Sequence, residues 1–201
     1  MSRYVTHPNI LMKPDIDIIR ACKKGDERAY FALFSLCYGH MKSICIRYLG
    51  DELEADGAVN KAFLKIVMNL DKWDVKRPFE AWARTITVNT ALDACRKKKS
   101  QSKNMPLTPI DDAGNDNNII SINEADEKLN AELLERMIYE LPDMHKQVFN
   151  LFALDGFSHK EIAEKLDCSV SASKWYLHQA RKILQEKLDV FLMNEKKYQH
   201  G

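Results

Sequence analysis

Glycine and proline are scarce, seven and six in 201 residues, and with them go most of the turn signals that a strand-rich chain needs. No apolar run approaches the roughly 18 residues of a membrane span. The opening MSRYVTHPNI lacks the apolar segment of a signal peptide, which makes the cytoplasm the expected compartment. Five cysteines at irregular spacing do not make a disulfide framework and read as reduced thiols. Cys22, Cys37, Cys45 and Cys95 fall mostly on apolar helix faces. Cys37, His40 and Cys45 lack the second paired motif that would complete a tetrahedral metal site, so core cysteines are the preferred reading. Also absent are a Gly-rich phosphate loop, paired Cys or His ligands, and a nucleophile placed beside a base. The histidines are scattered singly and most read as surface residues. The chain is expected to be no enzyme and to need no cofactor or metal.

What is present is helical period. With 45% hydrophobic and 29% charged residues, the chain has enough apolar material for one large or two small globular domains. Asp15 to Cys22 predicts a short helix that Gly25 ends, and Asp26 caps the next. On that second helix Phe31, Phe34, Cys37, Tyr38, Met41, Ile44, Cys45 and Tyr48 recur every three or four residues and predict a core face, with Gly50 after its end. A third helix is predicted from about Glu52 to Leu70, with Ala55, Val59, Phe63, Ile66, Val67 and Leu70 inward. KWDVKRP makes a loop, and Phe79 to about Lys98 a fourth helix. Ala125 to Tyr139 and Pro142 to Ala153 predict two more, and no strand signal competes. The fold class expected is all-α.

Net charge is only +1, but its distribution is uneven, and distribution matters more than the total. From Arg84 to Lys103 there are six Lys or Arg against one acid, Asp93. Asn104 to Glu127 carries Asp111, Asp112, Asp116, Glu124, Asp126 and Glu127 without a Lys or Arg. Residues 101–121 hold two prolines and a glycine with no sustained helical period, and read as an extended linker between two helical domains.

The C-terminal stretch FSHKEIAEKLDCSVSASKWYLHQARKIL contains two helical patterns split by Asp167, Cys168 and Ser169. Ser158 and Glu161 have the spacing of a capping box. Ile162, Ala163 and Leu166 follow on the first helix. Val170, Ser173, Leu177, Ala180, Ile183, Leu184 and Leu188 make the expected buried stripe of the second. The opposite face carries Lys174, Trp175, His178, Gln179, Arg181 and Lys182, a mixture of cations and amphipathic groups that suits a major groove. An ordinary solvated helix, with Trp175 folded back onto a neighbour, is the other reading of the same pattern.

In order and spacing, DIDIIRACKKGDERAYFALFSLCYGHM, FLKIVMNLDKWD, FEAWARTITVNTALDACRKKK and LPDMHKQVFNLFALDGFSHKEIAEKLDCSVSASKWYLHQARKIL resemble the extracytoplasmic-function (ECF) sigma factors of bacterial RNA polymerase. The resemblance spans nearly the whole chain. Its most specific parts are the series Phe79, Trp82, Val88, Asn89, Thr90, Asp93 and Arg96 and the paired LP and SHKEIAEKL elements.

The resemblance implies a promoter-melting domain at 10–100, a flexible acidic linker at 101–123 and a helix-turn-helix domain at 124–193. It implies core RNA polymerase and promoter DNA as partners, usually an anti-sigma protein, and no membrane insertion. Lys174, Trp175, His178 and Gln179 match the positions that read the minus-thirty-five element, with Arg181 and Lys182 holding phosphate. The loop Asp74 to Pro78 and the following helix match the segment that captures a flipped base of the minus-ten element. There Lys76, Arg77, Arg84 and the run Arg96, Lys97, Lys98 and Lys99 would neutralise backbone, while Trp82 stacks and Asn89 hydrogen-bonds. For Phe79, core packing is the preferred reading. The 21 residues of 101–121 alone reach at most about 70 Å, enough for promoter elements about 55 Å apart.

Two departures stand out. Polymerase docking is expected at Asp56, Asn60 and Lys61, yet the family's acidic and glutamine-rich patch is replaced by Gly57, Asn60 and Lys61, with Asp51, Glu52, Glu54 and Asp56 one turn away. The recognition helix has Ser171, Ala172 and Ser173 where Gly-Thr-Val is frequent. The alternative function is a stand-alone helix-turn-helix regulator whose N-terminal helical domain senses a ligand or makes a dimer.

Overall fold

The computed structural model describes residues 14–101 and 131–199. The chain divides into two compact units, with the boundary between Met105 and Pro106. Among the described residues both units are helical and no strand occurs. Residues 102–123 of the expected linker, and 125–130 of the helix expected from Ala125, lie outside the described residues.

The first unit contains α1 (Ile16–Lys23), α2 (Glu27–Leu49), α3 (Glu52–Met68), a 3-10 turn at Leu70–Lys72 and α4 (Phe79–Gln101). Its first three helices start on aspartates that satisfy otherwise orphaned N–H groups. Asp15 accepts from the N–H of Asp17, Asp26 from those of Arg28 and Ala29, and Asp51 from that of Glu54. Gly50 ends α2 in the left-handed region at φ 71°, where a side chain would be strained. Helices α2, α3 and α4 pack on one another and α1 packs on α2. The core is built from Leu33, Met41, Ile44, Val59, Ile66, Val88 and Leu92, all at most 2% exposed.

One predicted face is corrected. Phe31 is 74% exposed and Tyr38 38%, whereas Ala29, Leu33, Cys37, Met41, Ile44, Cys45, Tyr48 and Leu49 form the buried row of α2. Two residues are about 200° of helical rotation, so the row that runs through Leu33 turns Phe31 to the far side. Phe79 is buried, in line with core packing. Cys22, Cys37 and Cys45 are also buried. Burial pushes the Cys37 and Cys45 thiols up to about 12, which keeps them protonated.

The second unit contains α5 (Ala131–Tyr139), α6 (Asp143–Phe149), a π-helical turn at Asn150–Leu154, α7 (His159–Leu166) and α8 (Val170–Gln199). The helix expected from Pro142 to Ala153 is therefore interrupted by one wide turn, closed by the Asp155 N–H to the Asn150 carbonyl at 2.9 Å. Helices α6 and α7 pack on α8. Ile162, Ser173, Leu177, Ala180 and Leu184 are buried between them. Val170, expected inward, is 41% exposed, because it opens α8 where the chain has just left α7.

Candidate nucleic-acid interface

The turn between α7 and α8 is fixed by local chemistry. Ser158 Oγ accepts from the Glu161 N–H at 3.3 Å, and the Glu161 carboxylate accepts from the Ser158 N–H at 2.8 Å. This is the capping box that the sequence spacing predicts. Asp167 ends α7 in the left-handed region at φ 52°, which a short polar side chain tolerates better than a bulky one. The Cys168 N–H then returns to the Ala163 carbonyl at 3.1 Å. Ser169 Oγ accepts from the Ala172 N–H at 3.0 Å and starts α8.

On α8 the exposed row is Ser171, Lys174, His178 and Lys182, with Arg181 half-buried beside it. The Arg181 guanidinium lies 5.8 Å from the centre of the Phe152 ring. Trp175 is also half-buried, its ring 5.6 Å from His145 of α6 and 5.1 Å from Tyr176. Trp175 thus rests on a neighbour, as the alternative reading of the pattern has it, with Gln179 half-buried one turn further on.

Two histidines depart from the expected surface placement. His145 lies against both Trp175 and Tyr176, and its burial lowers its pKa. His159 stacks on Phe152 with centroids 4.6 Å apart. Its Nδ1 is 2.9 Å from Ser173 Oγ. Sequence pattern offers no sign of either arrangement, because both partners come from other elements.

In the first unit, the loop between the 3-10 turn and α4 is held by its own residues. Asp74 accepts from the Lys76 N–H at 3.0 Å, and its backbone carbonyl accepts from the Arg77 N–H at 2.9 Å. The Trp73 indole N–H donates to the Arg77 carbonyl at 3.1 Å. Trp73, which the spacing does not single out, therefore braces the loop that presents Lys76 and Arg77, both exposed. Its ring meets Phe79 at 5.4 Å, and Phe79 meets Trp82 at 5.6 Å. Phe79 is the buried member of this row, while Trp73 and Trp82 are half-buried.

Trp82, Asn89 and Arg96 follow one another by seven residues on α4, which keeps them near one face along about 21 Å. Several expected cations are already paired. Arg84 holds Glu80 at 3.0 Å, Arg96 holds Asp93 at 3.1 Å and Lys98 holds Glu54 at 2.9 Å. Lys97 is exposed.

At the expected docking positions Asn60 and Lys61 are exposed and Asp56 is not free. The Asp56 carboxylate accepts from Lys42 and, at 3.1 Å, from the Tyr38 hydroxyl. The bond from Lys42 holds the Asp56 carboxyl below the usual carboxylate range. No group of three or more potential metal ligands occurs among the described residues, and none of their helices is long and apolar enough to cross a membrane.

Residues 15–190 match the protein family described as ECF sigma factor. The ECF RNA polymerase sigma factor SigW of Bacillus subtilis is 28% identical over 180 residues, covering 85% of this chain and 94% of that one. The ECF RNA polymerase sigma-E factor of Escherichia coli is 28% identical over 181 residues, covering 85% and 92%. Among solved structures, the sigma factor RpoE in complex with the anti-sigma factor NepR, from Bartonella quintana, aligns with a TM-score of 0.50 at 19% identity, covering 75% of this chain and 91% of that one. At that identity the likeness is one of fold.

Proposed function

The chain belongs to the ECF sigma factor family, and from that premise we propose that it binds core RNA polymerase, recognises a bipartite promoter and helps to open it. The observation that carries this reading is the match over residues 15–190, which takes in both helical units in the family's order. A non-catalytic role in transcription initiation follows from the family.

The geometry supports a division of labour between the units. In the second, Lys174, His178 and Lys182 are exposed on the second helix of a helix-turn-helix, where hydrogen bonds to base edges specify sequence and cations hold phosphate. Trp175 and Gln179 flank that row, and Arg181 sits beside it over Phe152. In the first unit, the braced loop at Asp74–Pro78 and the face of α4 with Trp82 and Asn89 offer a stacking surface beside Lys76 and Arg77. Opening a duplex needs such a surface, because unstacking costs a few kcal/mol per step. Arg84, Arg96 and Lys98 reach phosphate by exchanging the carboxylates that now hold them. Lys97 is exposed for the same role.

Docking on the polymerase is assigned to the exposed side of α3 around Asn60 and Lys61, with Asp56 as an internal brace. An anti-sigma partner is proposed from the family. The stand-alone regulator is the weaker reading, because the family match spans the first unit as well as the helix-turn-helix.

Reconstitution of the full chain with core polymerase tests the proposal. Transcription from selected promoters, and protection of two unlike elements only in the presence of core enzyme, is the expected result. Tight binding of the chain alone to a palindromic duplex would replace it with the regulator.

A further inference from the structure

Ser173 is fully buried, and a buried hydroxyl needs a partner. That partner is the imidazole of His159, whose Nδ1 lies 2.9 Å from Ser173 Oγ. The same imidazole is stacked on Phe152 at 4.6 Å, and Phe152 carries the Arg181 guanidinium at 5.8 Å. These interactions close a ring. They leave α8 at Ser173, pass through the first residue of α7 and the π-helical turn, and return to α8 at Arg181, eight residues on.

The ring also has an electrostatic character. His159 is the first residue of α7, where the N-terminal end of the helix disfavours added positive charge. The charged groups that face it from α8 are Lys174 and Arg181. The π-helical turn contributes no charged residue, with Asp155 following it. On its own helix the nearest acid, Glu161, is engaged by Ser158. Burial first, then Lys174 and Arg181, hold the pKa of His159 below the ordinary histidine value.

We propose that His159 is a positioning residue for the DNA-reading face, holding α8 at Ser173 and Arg181 through Phe152, and that it takes up a proton from solvent when phosphate occupies Lys174 and Arg181. This inference rests on the DNA-reading function proposed above. Phosphates at those two cations cancel the repulsion that adds to burial in disfavouring the charged ring, so proton binding and DNA binding support each other, and the coupling is reciprocal. The hydrogen bond to Ser173 survives the change, since a protonated Nδ1 donates to the hydroxyl oxygen. The sign follows from linkage. A group that gains affinity for protons in the bound state makes binding tighter as pH falls between its bound and free pKa values, adds nothing above that window and holds the full gain below it.

The test uses the full chain with core polymerase and a duplex enriched by that complex from a random-sequence pool. Affinity is measured from pH 8 to pH 5.5 at constant ionic strength for the wild type and for His159→Gln, which keeps a neutral hydrogen-bonding group. Contributions of the other histidines are common to both proteins and cancel in the comparison. At pH 8 the variant should bind more weakly, because it loses the stack on Phe152, and over the range the wild type should gain about three- to tenfold more than the variant, within the tenfold per pH unit that one proton allows. A histidine-resolved NMR titration of the wild type should show the His159 midpoint rising when DNA binds. Parallel pH profiles, or an unmoved midpoint, would overturn the inference and leave DNA reading intact. Equal affinity of the two proteins at pH 8 would overturn the positioning role. Absence of DNA binding at any pH would overturn both.

Discussion

The ammonium of Lys42 on α2 is hydrogen-bonded to the Asp56 carboxylate on α3, and the Tyr38 hydroxyl donates to the same oxygen at 3.1 Å. The bond joins two helices through a residue that the sequence reading expects to meet an outside partner. With Lys42 18% and Asp56 46% exposed at the side chain, solvent screening limits the coupling to at most about 1 kcal/mol. A double-mutant cycle of Lys42→Met and Asp56→Asn, read by denaturant unfolding, should return a value in that range. The Asp56 pKa is depressed, so its contribution is present above the ordinary carboxylate pKa and is lost as pH falls through the lower folded value. The acid side of the stability profile should therefore flatten in Asp56→Asn, and a profile identical to wild type would show that the pair contributes nothing.

Lys61 lies on the proposed docking face, where the resemblance leads one to expect an acid. If α3 docks in the usual way, Lys61→Glu should leave core-polymerase affinity unchanged or raise it. Competition against the wild-type chain measures this directly. A marked loss would show that Lys61 has an acidic partner of its own on the polymerase.

Along α8, Lys174→Ala or Gln179→Ala should each weaken binding by about 1 to 3 kcal/mol for every base that the side chain reads, and relax specificity at single positions. Arg181→Ala should instead weaken all sequences alike and lower the salt slope by about one. Base-selection profiles separate the two behaviours, and three identical profiles would remove the division between reading and holding.

Trp82→Ala should impair open-complex formation far more than closed-complex binding, since duplex capture depends on phosphate neutralisation and upstream recognition. Its packing against Phe79 makes a folding control necessary, because loss of a buried Trp costs up to about 3 to 5 kcal/mol. Helicity and Tm are therefore measured beside activity. Rescue of the folded variant on a promoter already mismatched across the minus-ten element supports a melting role. An equal defect on both templates assigns Trp82 to the core or to polymerase docking.

The parts of this fold that were legible in the sequence are those set by neighbours along the chain. Ser158 and Glu161 form their capping box, Gly50 ends α2, and Asp26 caps it, because each needs only residues within one turn. Helical period gave the α2 row through Cys37, Met41, Ile44 and Tyr48 but drew Phe31 in with it, since periodicity marks an apolar stripe without saying how wide the partner helices cover it. At the candidate site the exposed positions Lys174, His178 and Lys182 follow from the buried row behind them. The engagement of Asp56 by Lys42, of Trp175 by His145 and of Ser173 by His159 does not, because each pairs residues from different helices. Trp73 was illegible for another reason: its indole serves a backbone carbonyl, and no side-chain pattern marks such an acceptor.

The π-helical turn at Asn150–Leu154 gives chain length a meaning that composition does not. An extra residue wound into a helix advances everything beyond it by about 100°, so this turn works as a phase shifter between α6 and the elements that follow. Ala153 and Leu154 are exposed, and their identities are open to change. Their number is not. Removing either one would let α6 continue with regular winding and swing Phe152 out of line with His159 and Arg181, so this segment tolerates substitution where it would not tolerate a one-residue deletion.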